Sequence, residues 1–317
     1  MPVDSGLAAM LERMRNASAE VQFGGTPEEA RERLRFMRAA FYPPILLPVA
    51  SSEEIELPAS SGVIPARILR PAANGPLPTV VYFHGGAWMV GDLDSHDGHA
   101  RRIANRVPAV VLNVAYRLAP ENPFPAGYED ALAATLWASE HVGHLGGAPD
   151  RVVVAGDSAG GNLAAAVAIT CRDRHIGLAA QLLIYPATDL AGEYASRERL
   201  GNGDYFLRVG RGGAPNGYVP NVADLTDARV SPLRAASLAD VAPLVLGIGE
   251  YDPLRDEAIA FAAAVRDAGV RTIVRDYPGL IHGFFGMGSV SAAADAASDE
   301  LCADLATILA PHPVAVN

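Results

Sequence analysis

Residues 152–162 read VVVAGDSAGGN, a stretch that joins a strand, a sharp turn and the start of a helix. A Val-rich run, typical of a buried strand, leads into a G-x-S-x-G motif at Gly156–Gly160, after which a helical pattern begins. Glycine is required in such a motif because the turn is sharp and brings strand and helix backbones close together. We therefore predict that Ser158 is a nucleophile held in a strained conformation at a helix N-terminus. The alternative is a plain glycine-rich turn in which the serine only caps the helix.

The chain around this motif alternates short β-rich runs with longer helical patterns. Two runs, Val152–Gly156 and Leu244–Ile248, are apolar throughout, as expected of central parallel strands buried on both faces. The alternation predicts an α/β fold with a mostly parallel, doubly wound sheet of eight strands. The predicted strands are Glu54–Leu57, Val63–Leu69, Thr79–His84, Val110–Ala115, Val152–Gly156, Gln181–Tyr185, Leu244–Ile248 and Thr272–Tyr277. Helical patterns cover about 98–107, 127–143, 159–174, 254–268 and 292–309.

Two segments fall outside this alternation. Residues 1–50 contain no plausible strand, and Thr26-Pro27-Glu28-Glu29 has the features of a helix start, so we predict two helices there. We interpret residues 1–50 as a helical cap segment and residues 51–317 as the catalytic domain. Within that domain, the Gly- and Asn-rich stretch 191–230 is predicted to be a lid or cap insertion, the alternative being a surface loop.

Composition excludes several classes of function. A net charge of −11 over 317 residues argues against nucleic acid or an anionic membrane surface as a partner. All 25 basic residues are arginine, so Schiff-base chemistry through a lysine is ruled out. The two cysteines, Cys171 and Cys302, are too few for a disulfide framework or a four-cysteine zinc site. Without a signal-like N-terminus or an apolar stretch approaching about 18 residues, a cytoplasmic location is expected.

A second strand also ends in glycines, since residues 79–91 read TVVYFHGGAWMVG. Attack of a hydroxyl on a carbonyl carbon places negative charge on the carbonyl oxygen, and backbone amides stabilise it only if they already point there. Gly85 and Gly86 allow close backbone approach, and the amide after the nucleophile, that of Ala159, would be a third donor. We predict these three residues as an oxyanion hole, the alternative being an ordinary glycine loop.

A serine nucleophile needs a base and an acid. Of the eight histidines, His282 alone lies in the loop directly after the last predicted strand, PGLIHGF at 278–284, where it could reach the serine over the carboxyl edge of the sheet. Asp252 follows the apolar strand Leu244–Ile248 and is the preferred acid, with Asp189 as its rival. The resulting chain order, Ser158, Asp252, His282, is that of α/β-hydrolases.

A cluster of acids and histidines after the glycine loop offers an alternative metal site at Asp94, His96, Asp97 and His99. Its spacing fits zinc signatures poorly, so we predict polar residues at the rim of the cleft and no metal. His84 precedes the nucleophile and ends a strand, and we expect it to make a structural hydrogen bond.

Several motifs in order carry a family resemblance. They are HGGAW at 84–88, YRLAPE at 116–121, FPA at 124–126, GDSAGGN at 156–162, DPLRDE at 252–257 and HGF at 282–284. Over about residues 40–310 the sequence resembles the hormone-sensitive lipase-like family of α/β-hydrolase esterases, close to bacterial members with a GDSAG motif.

The resemblance implies a carboxylesterase that acts on short- to medium-chain acyl esters without a cofactor, with Ser158 as nucleophile, His282 as base and Asp252 as acid. A small-molecule ester is the expected partner, and a homodimer is common in the family. A non-catalytic receptor, an amidase and a lactonase are the alternatives. Ala87 replaces a usual glycine, and 203–220 lacks the usual aromatic-rich helix. Predicted substrate contacts are Trp88, Asp157, Leu254 and Ile281.

Overall fold

The computed structural model describes residues 1–17, 25–60, 62–209 and 217–310. These ranges contain one eight-stranded sheet with the strand order β1-β2-β4-β3-β5-β6-β7-β8. β1 and β2 pair antiparallel, as do β2 and β4, and all remaining pairs are parallel. The predicted α/β fold is confirmed. The strands are β1 Ser51–Ala59, β2 Gly62–Arg70, β3 Leu77–Phe83, β4 Val110–Val114, β5 Gly147–Asp157, β6 Ala180–Ile184, β7 Leu244–Tyr251 and β8 Thr272–Ile281.

Helices connect the parallel strands, as the alternating sequence pattern requires. Short 3-10 helices occupy Val222–Thr226, Pro232–Arg234 and Phe284–Gly286. The α-helices are α1 Ser5–Asn16, α2 Pro27–Phe41, α3 Asp97–Arg106, α4 Ala126–Glu140, α5 Val142–Leu145, α6 Ala159–Asp173, α7 Ala195–Leu200, α8 Arg255–Asp267 and α9 Ala292–Leu309. None of the helices in the described ranges is both long and apolar enough to cross a membrane.

The core lies at the centre of the sheet. All five residues of β6 and the first six of β7 are buried, which explains why these strands are apolar on both faces. Helix α6 packs closely on the sheet because its buried face consists largely of glycine and alanine. The tight contact between β5 and α6 fixes the position of the turn that joins them.

The first two helices pack over the carboxyl side of the sheet. Thr26 caps the N-terminus of helix α2: its hydroxyl accepts from the Glu29 amide at 3.2 Å, and the Glu29 carboxylate accepts from the Thr26 amide at 2.8 Å. Arg31 donates from Nε to the Met89 carbonyl at 3.0 Å, which ties α2 to the loop after β3. The cap role of residues 1–50 stays a prediction.

The stretch 191–230 combines α7, irregular backbone and one 3-10 helix, and its central residues 210–216 lie outside the described ranges. Its described part reaches the carboxyl edge of the sheet, since the main-chain carbonyl of Tyr218 accepts from the Phe124 amide at 2.7 Å.

Candidate active site

Ser158 occupies the turn between β5 and α6. Its backbone angles are φ 54° and ψ −117°, a combination that residues other than glycine rarely adopt. The Ser158 amide donates to the Ile184 carbonyl at 2.8 Å, which anchors the turn to β6. A Cβ atom at position 156 would overlap the Gly160 backbone, and one at position 160 would overlap the Phe83 carbonyl oxygen. Close backbone packing therefore dictates both glycines of the motif.

Three polar side chains form a continuous hydrogen-bonded chain at this edge. His282 Nε2 lies 2.9 Å from Ser158 Oγ, and His282 Nδ1 lies 2.7 Å from Asp252 Oδ2. Asp252 is fully buried, and its Oδ1 accepts from the Leu254 amide at 2.8 Å. The carboxylate favours a proton on Nδ1, so the lone pair of Nε2 faces the serine hydroxyl. The arrangement can remove the proton from the hydroxyl and stabilise the resulting imidazolium.

Asp189, the rival acid, is engaged elsewhere. Its carboxylate accepts from Arg234 Nε at 2.6 Å and from the Tyr194 hydroxyl at 2.8 Å. Asp252 is the acid that the structure brings to His282.

A second buried carboxyl near the site belongs to Glu257, which ends the DPLRDE motif but was not predicted as a site residue. Glu257 lies in the first turn of α8, where acids are common, but it is fully buried. It forms an ion pair with Arg197 and accepts from the Thr188 amide at 2.8 Å. Burial raises the pKa of Glu257 to about 7. The pair links α8 to the loop after β6 and to α7, and thus supports the segment that approaches the cleft.

The acids and histidines of the alternative metal site do not converge. Asp94 and Asp97 form ion pairs with Arg67 at 2.7 and 3.2 Å. The His96 and His99 rings instead pack together, with 4.9 Å between their centroids. Both are buried in the lining of the cleft beside Ser158 and are not exposed at its rim. Within the described ranges, no group of three or more His, Cys, Asp or Glu side chains could hold a metal ion.

The loop after β3 differs from the predicted oxyanion hole at one position. The Gly85 amide donates to Asp157 Oδ1 at 2.8 Å, so it is not free to bind an oxyanion. Gly86 and Ala87, with φ values of 127° and 50°, line the cleft. In the part of the chain that the structure describes, the amides of Gly86, Ala87 and Ala159 have no hydrogen-bond acceptor. Ala87 therefore replaces Gly85 among the candidate donors.

Buried side chains hold this loop in place. Asp157 Oδ1 also accepts from the Tyr82 hydroxyl at 2.5 Å, and burial raises the pKa of Asp157. His84 Nδ1 lies 2.8 Å from the Gly85 carbonyl, and the His84 carbonyl accepts from the Tyr116 hydroxyl at 2.8 Å. Asp157, predicted as a substrate contact, does line the cleft, but its hydrogen bonds position the loop.

The other three predicted substrate contacts lie outside the lining of this cleft. Trp88 is buried and stacks on Tyr218, with 4.3 Å between ring centroids. The Leu254 amide donates a hydrogen bond to Asp252, and Ile281 is fully buried at the end of β8. Contact of these three residues with a substrate stays a prediction.

An open cleft of about 610 Å³ lies beside Ser158. Most of its accessible surface is apolar, and α2, the loop after β3 and the 191–230 segment all contribute to it. The lining residues are Leu34, Arg38, Tyr42, Gly86, Ala87, Val90, His96, His99, Asp157, Ser158, Tyr185, Phe206, Leu207, His282, Gly283 and Met287.

Comparison with known proteins agrees with this geometry. A family model described as alpha/beta hydrolase fold matches residues 80–286. The chain is 40% identical over 295 residues to carboxylesterase NlhH of Mycobacterium tuberculosis, covering 87% of this chain and 88% of that one. It is 40% identical over 259 residues to carboxylic ester hydrolase LipN of the same organism, covering 80% and 69%. A hyperthermophilic esterase structure from Pyrobaculum calidifontis superposes with a TM-score of 0.89 at 34% identity, covering 98% and 99% of the two chains.

The fold and the hydrogen-bonded serine, histidine and aspartate are those of an α/β-hydrolase. The chain belongs to the hormone-sensitive lipase-like esterase family. It is a carboxylic ester hydrolase, since the relatives that it matches over most of their length are ester hydrolases.

Proposed function

We propose that this protein is a serine carboxylesterase that hydrolyses short- to medium-chain acyl esters through an acyl-enzyme intermediate. The observation that carries the proposal is the chain of two hydrogen bonds, 2.9 and 2.7 Å long, that joins Ser158, His282 and Asp252 beside the cleft. Such a chain matches the requirements of a nucleophile, its base and the group that orients the base.

Acylation begins when His282 Nε2 takes the Ser158 proton and Oγ attacks the ester carbonyl carbon. Negative charge then develops on the carbonyl oxygen, and the amides of Gly86, Ala87 and Ala159 stabilise it; one such donor contributes about 2.7–4 kcal/mol. The imidazolium next donates its proton to the leaving alkoxide, which departs as the alcohol.

Deacylation repeats the chemistry with water. His282 removes a proton from the water, the hydroxide attacks the acyl carbon, and the proton returns to Ser158 Oγ as the acid leaves. Asp252 remains ionised throughout, since its role is to orient the imidazole and to stabilise its charge.

The preference for short and medium chains is supported by the cleft. The cleft is bounded by side chains of α2, the loop after β3 and the 191–230 segment, which limit the length of chain it can hold. Tyr185, Phe206, Leu207 and Met287 give it the apolar surface that an acyl chain needs.

Hydrolysis of p-nitrophenyl esters from acetate to palmitate tests the proposal, with Ser158→Ala as the control. We expect turnover that is highest for the short and medium chains and absent from the variant. Turnover that survives in Ser158→Ala would show the nucleophile to be wrongly assigned. Cleavage of amides or lactones without cleavage of esters would favour those alternatives.

The remaining parts of the proposal are a lid formed by residues 191–230, a cytoplasmic location and a homodimer. Phe206 and Leu207 in the cleft lining support the lid, and two free, buried cysteines suit a reducing compartment. Strand β8 lies at an edge of the sheet, where unpaired backbone groups favour pairing with a second chain. Analytical ultracentrifugation tests the dimer, since a monomer at all concentrations contradicts it.

A further inference from the structure

One part of the cleft lining is polar and is not used by the proposed mechanism. Arg38 of α2 lies there with His96 and His99, which flank and begin α3. All three side chains are buried. A cation buried in an otherwise mostly apolar substrate cleft needs a physical reason, because burying an unpaired charge is costly.

Arg38 differs from the arginines that precede it on the same helix. Arg31 pairs with Glu121 at 2.8 Å and Arg35 pairs with Asp92 at 3.1 Å. Arg38 is only 9% exposed, yet no carboxylate in the described ranges lies within 4.0 Å of its guanidinium, and its Nε has no hydrogen-bond acceptor there. Of these three arginines of α2, the most buried is thus the one for which the described ranges contain no acidic partner.

The contacts that Arg38 does make are weak. Its Nη2 lies 3.4 Å from His99 Nδ1, and its Cζ lies 5.7 Å from the centroid of the Tyr42 ring. Beside these contacts, the buried Nε–H has no acceptor in the described ranges and can donate to a ligand.

The neighbouring titratable groups do not neutralise this charge. Burial, reinforced by the positive charge of Arg38, lowers the pKa of His96 and His99 well below the usual value, so both imidazoles are neutral at pH 7. Asp157 is the acid in the lining and feels the positive charge of Arg38, but its Oδ1 already accepts from Tyr82 and Gly85, and its carboxylate lies more than 4.0 Å from the guanidinium.

We propose that the cleft selects esters that carry a free carboxylate in addition to the ester group, and that Arg38 is the specificity-determining residue that binds this carboxylate. The guanidinium fork matches a carboxylate in shape and charge, and the bound substrate supplies the acidic partner that the described ranges do not provide. The apolar lining, including Leu34 and Phe206, accommodates the methylene groups between carboxylate and ester. This inference rests on the proposed ester hydrolysis at Ser158.

Matched pairs of small esters test the inference. Monoethyl glutarate and ethyl pentanoate place a carboxylate or a methyl group at the end of the acyl part, whereas 4-acetoxybutanoate and butyl acetate do so in the alcohol part. The measurement is kcat/KM in a pH-stat at pH 7, expressed as the ratio of charged to neutral ester. The pair with the larger ratio shows which part of the substrate reaches Arg38.

We expect Arg38→Met to lower this ratio about 10- to 100-fold, as loss of a charge-assisted hydrogen bond does. Arg38→Lys should restore part of it, since it keeps the charge but not the fork. Arg35→Met is the matched control, because Arg35 lies on the same helix but is exposed and outside the cleft lining, and it should leave the ratio unchanged.

Two results would overturn the inference. One is a wild-type enzyme that cleaves both neutral esters but discriminates against both charged ones. The other is equal loss of charged and neutral turnover in Arg38→Met, with Arg38→Lys restoring neither. Both results leave the proposed function intact, whereas failure of folded wild-type enzyme to cleave any of the four esters contradicts the proposed function itself.

Discussion

Replacing Asp252 by asparagine tests the most buried part of the proposed mechanism. Asp252 is fully buried, with Oδ1 accepting from the Leu254 amide at 2.8 Å and Oδ2 facing His282 Nδ1 at 2.7 Å. In Asp252→Asn the side-chain oxygen keeps the bond from Leu254, so the NH₂ group faces Nδ1. Because two donors cannot bond, the imidazole moves its proton to Nε2, which can then no longer accept the Ser158 proton.

The expected loss in kcat is about 10,000-fold. At about 1.36 kcal/mol for each factor of ten, this corresponds to roughly 5.4 kcal/mol of lost transition-state stabilisation. KM for p-nitrophenyl butyrate should change little, since Asp252 does not line the cleft. A stopped or continuous p-nitrophenol assay on protein of verified thermal stability measures both constants.

Asp189→Asn is the matched control, because Asp189 is the other acid that follows a strand between serine and histidine. It should retain most of the activity, since its partners are Arg234 and Tyr194 rather than the histidine. A kcat of Asp252→Asn within tenfold of the wild type, or a loss in Asp189→Asn as large as that in Asp252→Asn, would contradict the role of Asp252.

Three further predictions concern the oxyanion loop, the thiols and the buried histidines. Gly86→Ala should lower kcat at least about 100-fold, because its Cβ would overlap the Val90 carbonyl at a φ of 127° and displace the loop; unchanged kcat would contradict the loop's role. Burial raises the pKa of Cys171 to about 11 and of Cys302 to about 12, so neither thiol should react with Ellman's reagent at pH 8 until guanidinium unfolds the chain. Burial lowers the pKa of His99 well below its usual value, so the unfolded chain takes up this proton first as pH falls. As the pH decreases below about 6.5, the free energy of unfolding should therefore decrease, by up to about 1.4 kcal/mol per pH unit from this group. His99→Gln should flatten this slope in urea titrations between pH 5 and 7. An unchanged slope would argue against the buried neutral imidazole.

The sheet was predictable because its central strands are short apolar runs, and an apolar run in the sequence indicates burial. The ends of the edge strand β1 were harder to predict. The pattern predicts a strand over Glu54–Leu57, whereas β1 extends over Ser51–Ala59, since backbone pairing with β2 continues through exposed polar residues. Hydrogen bonding along an exposed edge needs no apolar side chains, so hydrophobic pattern alone does not mark its ends.

The site was predictable only where a role follows from a position in the chain. Ser158, Asp252 and His282 each follow a strand of one parallel sheet, and their order brings them to one edge. A motif does not say where each amide points, and the Gly85 amide is taken by Asp157, a residue 72 positions away. Arg38 likewise looks like any surface arginine of an amphipathic helix until the packing of α2 against the cleft is known.

Covalent labelling with a fluorophosphonate, followed by intact-mass and peptide mass spectrometry, tests directly whether Ser158 is the nucleophile. We predict one adduct per chain, located on the peptide that contains Ser158, with loss of ester hydrolysis in proportion to labelling and no adduct in Ser158→Ala. An adduct on another residue, or full esterase activity in a chain that carries the label on Ser158, would contradict the assignment of the nucleophile.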